Sequence, residues 1–175
     1  MLTTSRIVLL PLAAVAVCQP VQATTYLTVE QAQQQLFGDQ ALTPVPLVLS
    51  AENIATIERE SGTRYYAGAT RAWKADNGVL FIDAVIGKHD LITYALAVSN
   101  EGKVRQIEIL EYREAYGGEV RTSGFRKQFV GRSHADPVQI GQDIQNISGA
   151  TLSCQHVTDG IRRLLALYEL AFAAK

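Results

Sequence analysis

The sequence predicts an α+β fold: an antiparallel β-meander of about four strands, flanked by N-terminal and C-terminal helices. Three observations predict it. Thr63 to Trp73, Gly78 to Ile86, Leu91 to Ser99 and Lys103 to Tyr112 are runs rich in Val, Ile, Thr and Tyr. Short turn signals separate them at Asp76-Asn77-Gly78, Gly87-Lys88-His89-Asp90 and Asn100-Glu101-Gly102. Connections that short cannot hold a parallel crossover, so neighbouring strands must run antiparallel. Helical spacing appears only before and after this block, which separates the two kinds of element along the chain.

The first 23 residues have the layout of an export signal. Arg6 supplies positive charge, Ile7 to Val17 form a short apolar core, and Val21-Gln22-Ala23 is a small-residue cleavage site. Cys18 invites a lipidation reading, but Val17 stands where such a motif has a small residue. Removing 23 of the 175 residues leaves 152, enough for one domain with a real core. The expected organisation is a signal peptide at 1–23, a helical segment at 24–62 and the main domain at 63–175. The formal charge is −1, and −2 once Arg6 is lost, with Lys and Arg scattered along the chain. That pattern leaves no footprint for nucleic acid. After the signal, no segment is apolar for long enough to span a membrane.

Thr28-Val29-Glu30-Gln31 reads as a capping box opening a short helix to about Leu36. Pro44 and Pro46 interrupt the chain, and Ser50 to about Glu60 is a second helix ended by Gly62. Along the last strand, Val104, Ile107 and Ile109 combine alternation with a phase slip, so their faces stay open. Phe125 and Phe129 are four apart, in a short helix that Gly131 ends, and are read as core. Tyr65, Tyr66 and Trp73 either stack on a ring ligand or fill the interface of sheet and helix, the latter being the default. His89, His134 and His156 lack metal-ligand spacing, and His156 is expected to face solvent. No metal site and no hydrolytic triad is predicted.

The most informative stretch is Ile147-Ser148-Gly149-Ala150-Thr151-Leu152-Ser153. It precedes a helical run from about Cys154 to Ala173, with Val157, Ile161, Leu164, Leu165, Tyr168 and Phe172 on one face. A small-residue loop opening a helix offers free N–H groups and the positive end of a dipole to an anion such as phosphate. Hydroxyls at Ser148, Thr151 and Ser153 can add hydrogen bonds. The plainer alternative is a helix entry with Thr151 or Ser153 as its cap. Cys154 is the one cysteine left after the signal, which excludes a disulfide within the mature monomer. Its position near the helix start could lower its thiol pKa, against a default of a small buried hydrophobe.

Ser148-Gly149-Ala150-Thr151, followed by Leu152-Ser153, resembles the signature of the FMN-binding domain family found in subunits of Rnf-type electron-transport complexes and sodium-translocating NADH:quinone reductases. In that family the threonine of the quartet carries FMN through a phosphoester bond, installed outside the cytoplasm by a dedicated flavin transferase. The resemblance makes Thr151 the acceptor and agrees with an export signal. It also implies a loop after the last strand lying against the flavin, with a glutamate followed shortly by glycine. Glu114, Gly117 and Gly118 are the best counterparts, although Ala115 and Tyr116 replace the family's threonine and proline, and a plain glycine turn is the alternative. Gln145 stands where family members usually have aspartate, three residues before Ser148. That departure leaves open attachment by a variant transferase or FMN held without a covalent bond.

The resemblance implies an exported FMN protein, in the periplasm or on the extracytoplasmic face of the membrane. It would relay electrons between a membrane-bound redox partner and an acceptor. No residue needs to act as acid or base, so a carrier is expected rather than a turnover enzyme. The alternatives are a secreted protein binding a free phosphate or nucleotide reversibly, and a non-redox docking partner of a membrane complex.

Overall fold

A computed structural model describes residues 24–66, 68–114 and 116–173. The expected signal peptide, its cleavage site and Cys18 lie outside the described residues. In chain order the elements are β1 (Thr24–Thr25), α1 (Val29–Phe37), β2 (Thr43–Val45), α2 (Ala51–Ser61), β3 (Arg71–Ala75), β4 (Gly78–Ile86), β5 (Leu91–Ser99), β6 (Val104–Tyr112), α3 (Ser123–Lys127) and α4 (Thr151–Ala171). They form one sheet, in the order β1-β6-β5-β4-β3-β2, with every pairing antiparallel. The α+β meander between helices is therefore present, with six strands rather than about four. The two extra strands hold two and three residues, too few to show alternation. The first of the expected strands starts at Arg71 rather than Thr63, and α4 starts at Thr151 rather than Cys154.

Local chemistry places the N-terminal helices. Thr28 accepts a hydrogen bond from the Gln31 N–H while the Gln31 side chain accepts from the Thr28 N–H, a reciprocal capping box. Ser50 caps α2, which ends at Gly62 in the left-handed conformation that glycine tolerates best.

Both faces of the sheet are covered. Val79 and Phe81 of β4, and Ile92, Tyr94, Leu96 and Val98 of β5, share a buried cluster with α2, α3 and α4. Phe125 and Phe129 belong to it, packed edge to face with centroids 5.2 Å apart, as the core reading required. On the other face Leu80, Ile82, Ala95 and Ala97 meet Ala32, Leu36 and Phe37 of α1. Tyr65 is buried, Trp73 packs on the α1 side, and Tyr66 is exposed.

The phase slip in β6 has a physical cause. Its pairing with β5 shifts register twice, so Arg105 and Leu110 are extra residues with no direct partner. Val104, Ile107, Ile109 and Tyr112 then oppose Val98, Leu96, Tyr94 and Ile92, and all eight face the α4 side.

α4 crosses this face at close range. A Cβ on Gly160 would stand 2.4 Å from the Tyr94 hydroxyl and 2.8 Å from Val85 Cγ1, so glycine sets the spacing between helix and sheet. One turn on, Arg163 donates to Asp83 at 2.7 Å, with both side chains almost completely buried. Thr70 and Tyr94 hydroxyls donate to the same carboxylate, each at 3.0 Å, and Arg163 Nη1 donates to the Arg64 carbonyl. This network ties α4 to β4, β5 and the segment after α2. Sequence reasoning missed it, because Asp83 and Arg163 are 80 residues apart. No helix among the described residues is long and apolar enough to cross a membrane.

Candidate functional site

The chain enters α4 through a left-handed Gly149, φ +89°, and Ala150 is the N-cap. Alanine has no side-chain acceptor, so the first N–H groups of α4 are not capped from that position. Neither Thr151 nor Ser153 caps the helix. Ser148, Gly149, Thr151 and Leu152 are exposed, whereas Ala150 and Ser153 are buried. The Thr151 hydroxyl accepts a hydrogen bond from Asn146 Nδ2 at 3.0 Å. An accessible oxygen, fixed by a neighbouring amide at the positive end of a 21-residue helix, is well placed for an anion.

Behind it lie the two glycines. Gly117 has φ +92°, and a Cβ there would come within 2.6 Å of both Ser153 Oγ and the Tyr112 hydroxyl. Those two hydroxyls are themselves hydrogen-bonded at 2.9 Å, and Tyr112 also contacts the Tyr116 carbonyl. Burial raises the Tyr112 pKa, opposed in part by Ser153, so its hydroxyl stays protonated across the neutral range. Gly117 and Gly118 thus meet the Ser148–Ser153 segment at one place.

Between them opens a cleft of about 620 Å³, lined among others by Tyr26, Tyr116, Gly117, Gly118, Arg121 and Gly149. The size falls within the roughly 300–1,000 Å³ of small-molecule sites. The Arg121 guanidinium sits 4.0 Å above the Tyr26 ring, and Tyr116 is 86% exposed. Tyr26 and Arg121 gave no signal in the sequence. β1 carries Tyr26 there by pairing with the end of β6.

Glu114 is placed elsewhere. Its carboxylate accepts from the backbone N–H groups of His89 and, at 2.9 Å, Asp90, and so holds the turn between β4 and β5. It is absent from the lining of the cleft. The same turn is held by His156, whose Nδ1 lies 2.9 Å from the Gly87 carbonyl oxygen. His156 is half-buried, not turned freely to solvent.

Partial burial works to raise the Glu114 pKa, but backbone donors at Asp90, His89 and Lys88 outweigh it, and the folded value lies below the usual 4.5. A depressed carboxylate adds stability that is complete above its unfolded pKa and is lost as pH falls through the folded one. Glu114→Gln is therefore expected to lower the Tm at pH 7 and flatten its decline between about pH 5 and 3. Thermal melts of both proteins across that range check this, and parallel curves would refute it.

The segment before the motif is fixed by side-chain amides and one acid. Gln145 gives its N–H to Gln128 Oε1 at 2.7 Å, and its carbonyl accepts from Gln128 Nε2 at 3.3 Å. Asp143 accepts from the N–H groups of Val138 and Gln139 and pairs with Arg132 at 3.5 Å. Val138 holds φ +42°, unusual for a β-branched residue, and its N–H bond to Asp143 pins it there. Asn146, rather than position 145 or Asp143, reaches Thr151.

Cys154 is fully buried, and burial raises its thiol pKa, so the helix start does not activate it.

A second cleft, of about 570 Å³, opens beside α4 around His156, Gly160 and Arg163. Its walls are mainly apolar, from Ala69, Val85 and Leu91.

Residues 87–166 match the family model described as FMN-binding domain. The match begins at the turn held by Glu114 and runs through β5, β6 and α3 into α4, with Gly117, Gly118 and Ser148–Ser153 inside it. No curated protein matches the chain. The matched segment contains the uncapped helix start and the glycine wall of the adjoining cleft, and over it this chain is similar to the FMN-binding domain family.

Proposed function

We propose that this protein is an exported flavoprotein that holds FMN through a phosphoester at Thr151 and relays electrons between a membrane-bound reductase and an acceptor. The observation that carries the attachment point is the Thr151 hydroxyl: exposed, held by Asn146 at 3.0 Å, and first in an uncapped helix beside a glycine-walled cleft. Residues 1–23, with their charged start, apolar core and small-residue end, support export, where a flavin transferase would meet the chain.

The residues present fit a flavin nucleotide. Gly117 leaves no room for a side chain between the glycine loop and Ser153, which keeps the backbone close to the start of α4. The first N–H groups of α4 would hold the phosphate oxygens, and Asn146 orients Thr151 Oγ. Tyr26 and Tyr116 offer aromatic faces, and Arg121 adds positive charge beside them. When bound, the flavin supplies one- and two-electron transfer, chemistry that belongs to the cofactor. The chain contributes binding, orientation and partial exclusion of water. In attachment, Thr151 Oγ would bond to the phosphorus as the phosphorus–oxygen bond to the leaving group breaks, and that group would depart with the hydroxyl proton, a net loss of water from Thr151 and FMN.

A second reading, FMN held without a covalent bond, is favoured by Gln145 in the place of the family's usual aspartate. Intact mass separates the two. Exported from a host with a flavin transferase, wild type should be heavier than the bare chain by one FMN less water, and Thr151→Ala should be unmodified. An unmodified wild type that releases flavin on denaturation would establish the second reading. An unmodified wild type releasing no flavin would overturn both.

A further inference from the structure

The second cleft has the features of a separate binding site. Three of the large apolar side chains that the fold leaves exposed, Tyr66 (53%), Ile86 (58%) and Leu91 (42%), stand together on its walls. Exposed apolar residues scattered singly need no explanation, but a group around a concave surface marks a contact site. The fold assembles this group from two distant stretches. Ile86 and Leu91 face each other at the end of the β4–β5 hairpin, and Tyr66 comes from the segment after α2.

The charges are uneven. Asp83, behind the cleft, is saturated by Arg163, Tyr94 and Thr70, and Asp159 pairs with Arg162 at 3.0 Å. These carboxylates are therefore engaged, as is Glu114 at the adjoining turn, held by the His89 and Asp90 N–H groups. Arg163 keeps one buried N–H, at Nε, with no partner among the described residues. Arg64 lines the cleft, is exposed, and has no acidic partner for its side chain among the described residues. His156, with Nδ1 on the Gly87 carbonyl, adds no negative charge.

We propose that this cleft binds a small amphipathic anion, its flat apolar body among Tyr66, Val85 and Leu91 and its acidic head at Arg64. An apolar body suits walls that bury little polar surface, and Arg64 meets the head without first breaking an internal ion pair. The site stands apart from the flavin assignment. It lies along α4 beyond Thr151, and its lining shares no residue with the glycine-walled cleft.

The probe is 1-anilinonaphthalene-8-sulfonate, titrated by fluorescence into flavin-free Thr151→Ala protein and into FMN-loaded wild type. One saturable site of equal affinity is expected in both. Ala69→Trp, which narrows the mouth, and Arg64→Glu, which reverses the charge, should each weaken it about tenfold or more. Both positions are exposed, and unchanged thermal melts would show that the variants are folded. Raised salt should weaken wild-type binding and have less effect in Arg64→Glu. No saturable binding, or binding indifferent to both substitutions, would overturn the proposal. So would binding seen without flavin and abolished by FMN loading, since the cleft would then belong to the cofactor. The mass measurement at Thr151 does not depend on any of these outcomes.

Discussion

Replacing Asp83 with alanine is expected to lower the unfolding free energy by about 3–5 kcal/mol, the usual cost of removing one partner from a buried ion pair. The substitution leaves the Arg163 guanidinium in a site where it is only 5% exposed, with the Arg64 carbonyl as its remaining acceptor. It also strips the Tyr94 and Thr70 hydroxyls of their common partner. Against a total stability of roughly 5–15 kcal/mol, such a loss brings the folded state close to its threshold. Urea unfolding of the full chain measures it directly. The converse is equally informative. Replacing both Asp83 and Arg163 with leucine removes the charges together, and the double variant should recover much of the loss. A single variant costing under about 1 kcal/mol would mean that the network does not anchor α4 to the sheet.

Gly117→Ala should both destabilise the protein and reduce its flavin content, whereas Gly118→Ala should do neither. At Gly117 a side chain meets two obstacles. The backbone at φ +92° is strained for any L residue, at a cost of about 1–3 kcal/mol, and the new Cβ would lie 2.6 Å from Ser153 Oγ and Tyr112 OH. Neither oxygen can retreat without breaking their mutual bond, so the start of α4 would have to shift and carry Thr151 with it. At Gly118 the nearest atom to a new Cβ is Tyr112 Cε1 at 3.9 Å, an ordinary contact. The pair therefore separates loss of glycine from loss of geometry. Flavin per chain, from absorbance and intact mass, should fall several-fold in Gly117→Ala, with a Tm lower by a few degrees. Equal loading of the two variants would remove Gly117 from any role in shaping the cofactor site.

Much of the architecture was legible because it is local. The Thr28–Gln31 box, the turn residues between strands and the apolar stripe of α4 each act within a few residues. The faces of β6 were not legible, since the two register shifts depend on which β5 residues lie opposite. Thr151 is the first residue of α4, whereas the expected helix began three residues later, because a small-residue loop gives no periodicity from which to read its last residue. The partners of Glu114 were not legible in the letters of its loop. Its carboxylate turned out to be engaged by the His89–Asp90 turn, a contact spanning about 25 residues that no spacing rule encodes. Tyr26 and Arg121 were invisible for a related reason, since only the pairing of β1 with β6 brings the N-terminal tyrosine to the cleft.

The sheet also ends in a way that bears on how copies of this protein behave together. An open strand margin offers unpaired N–H and carbonyl groups to any passing chain. Here one margin is closed piecewise along β6. β1 pairs near Tyr112, Tyr26 and Leu27 donate to the Leu110 carbonyl, Arg126 donates to Ile107, and Gly131 and Arg132 bond Val104. The other margin is β2, three residues long with Pro44 at its centre, and proline has no N–H to share. A six-stranded sheet with both margins blunted can be held at high local concentration without templating strand-to-strand aggregation.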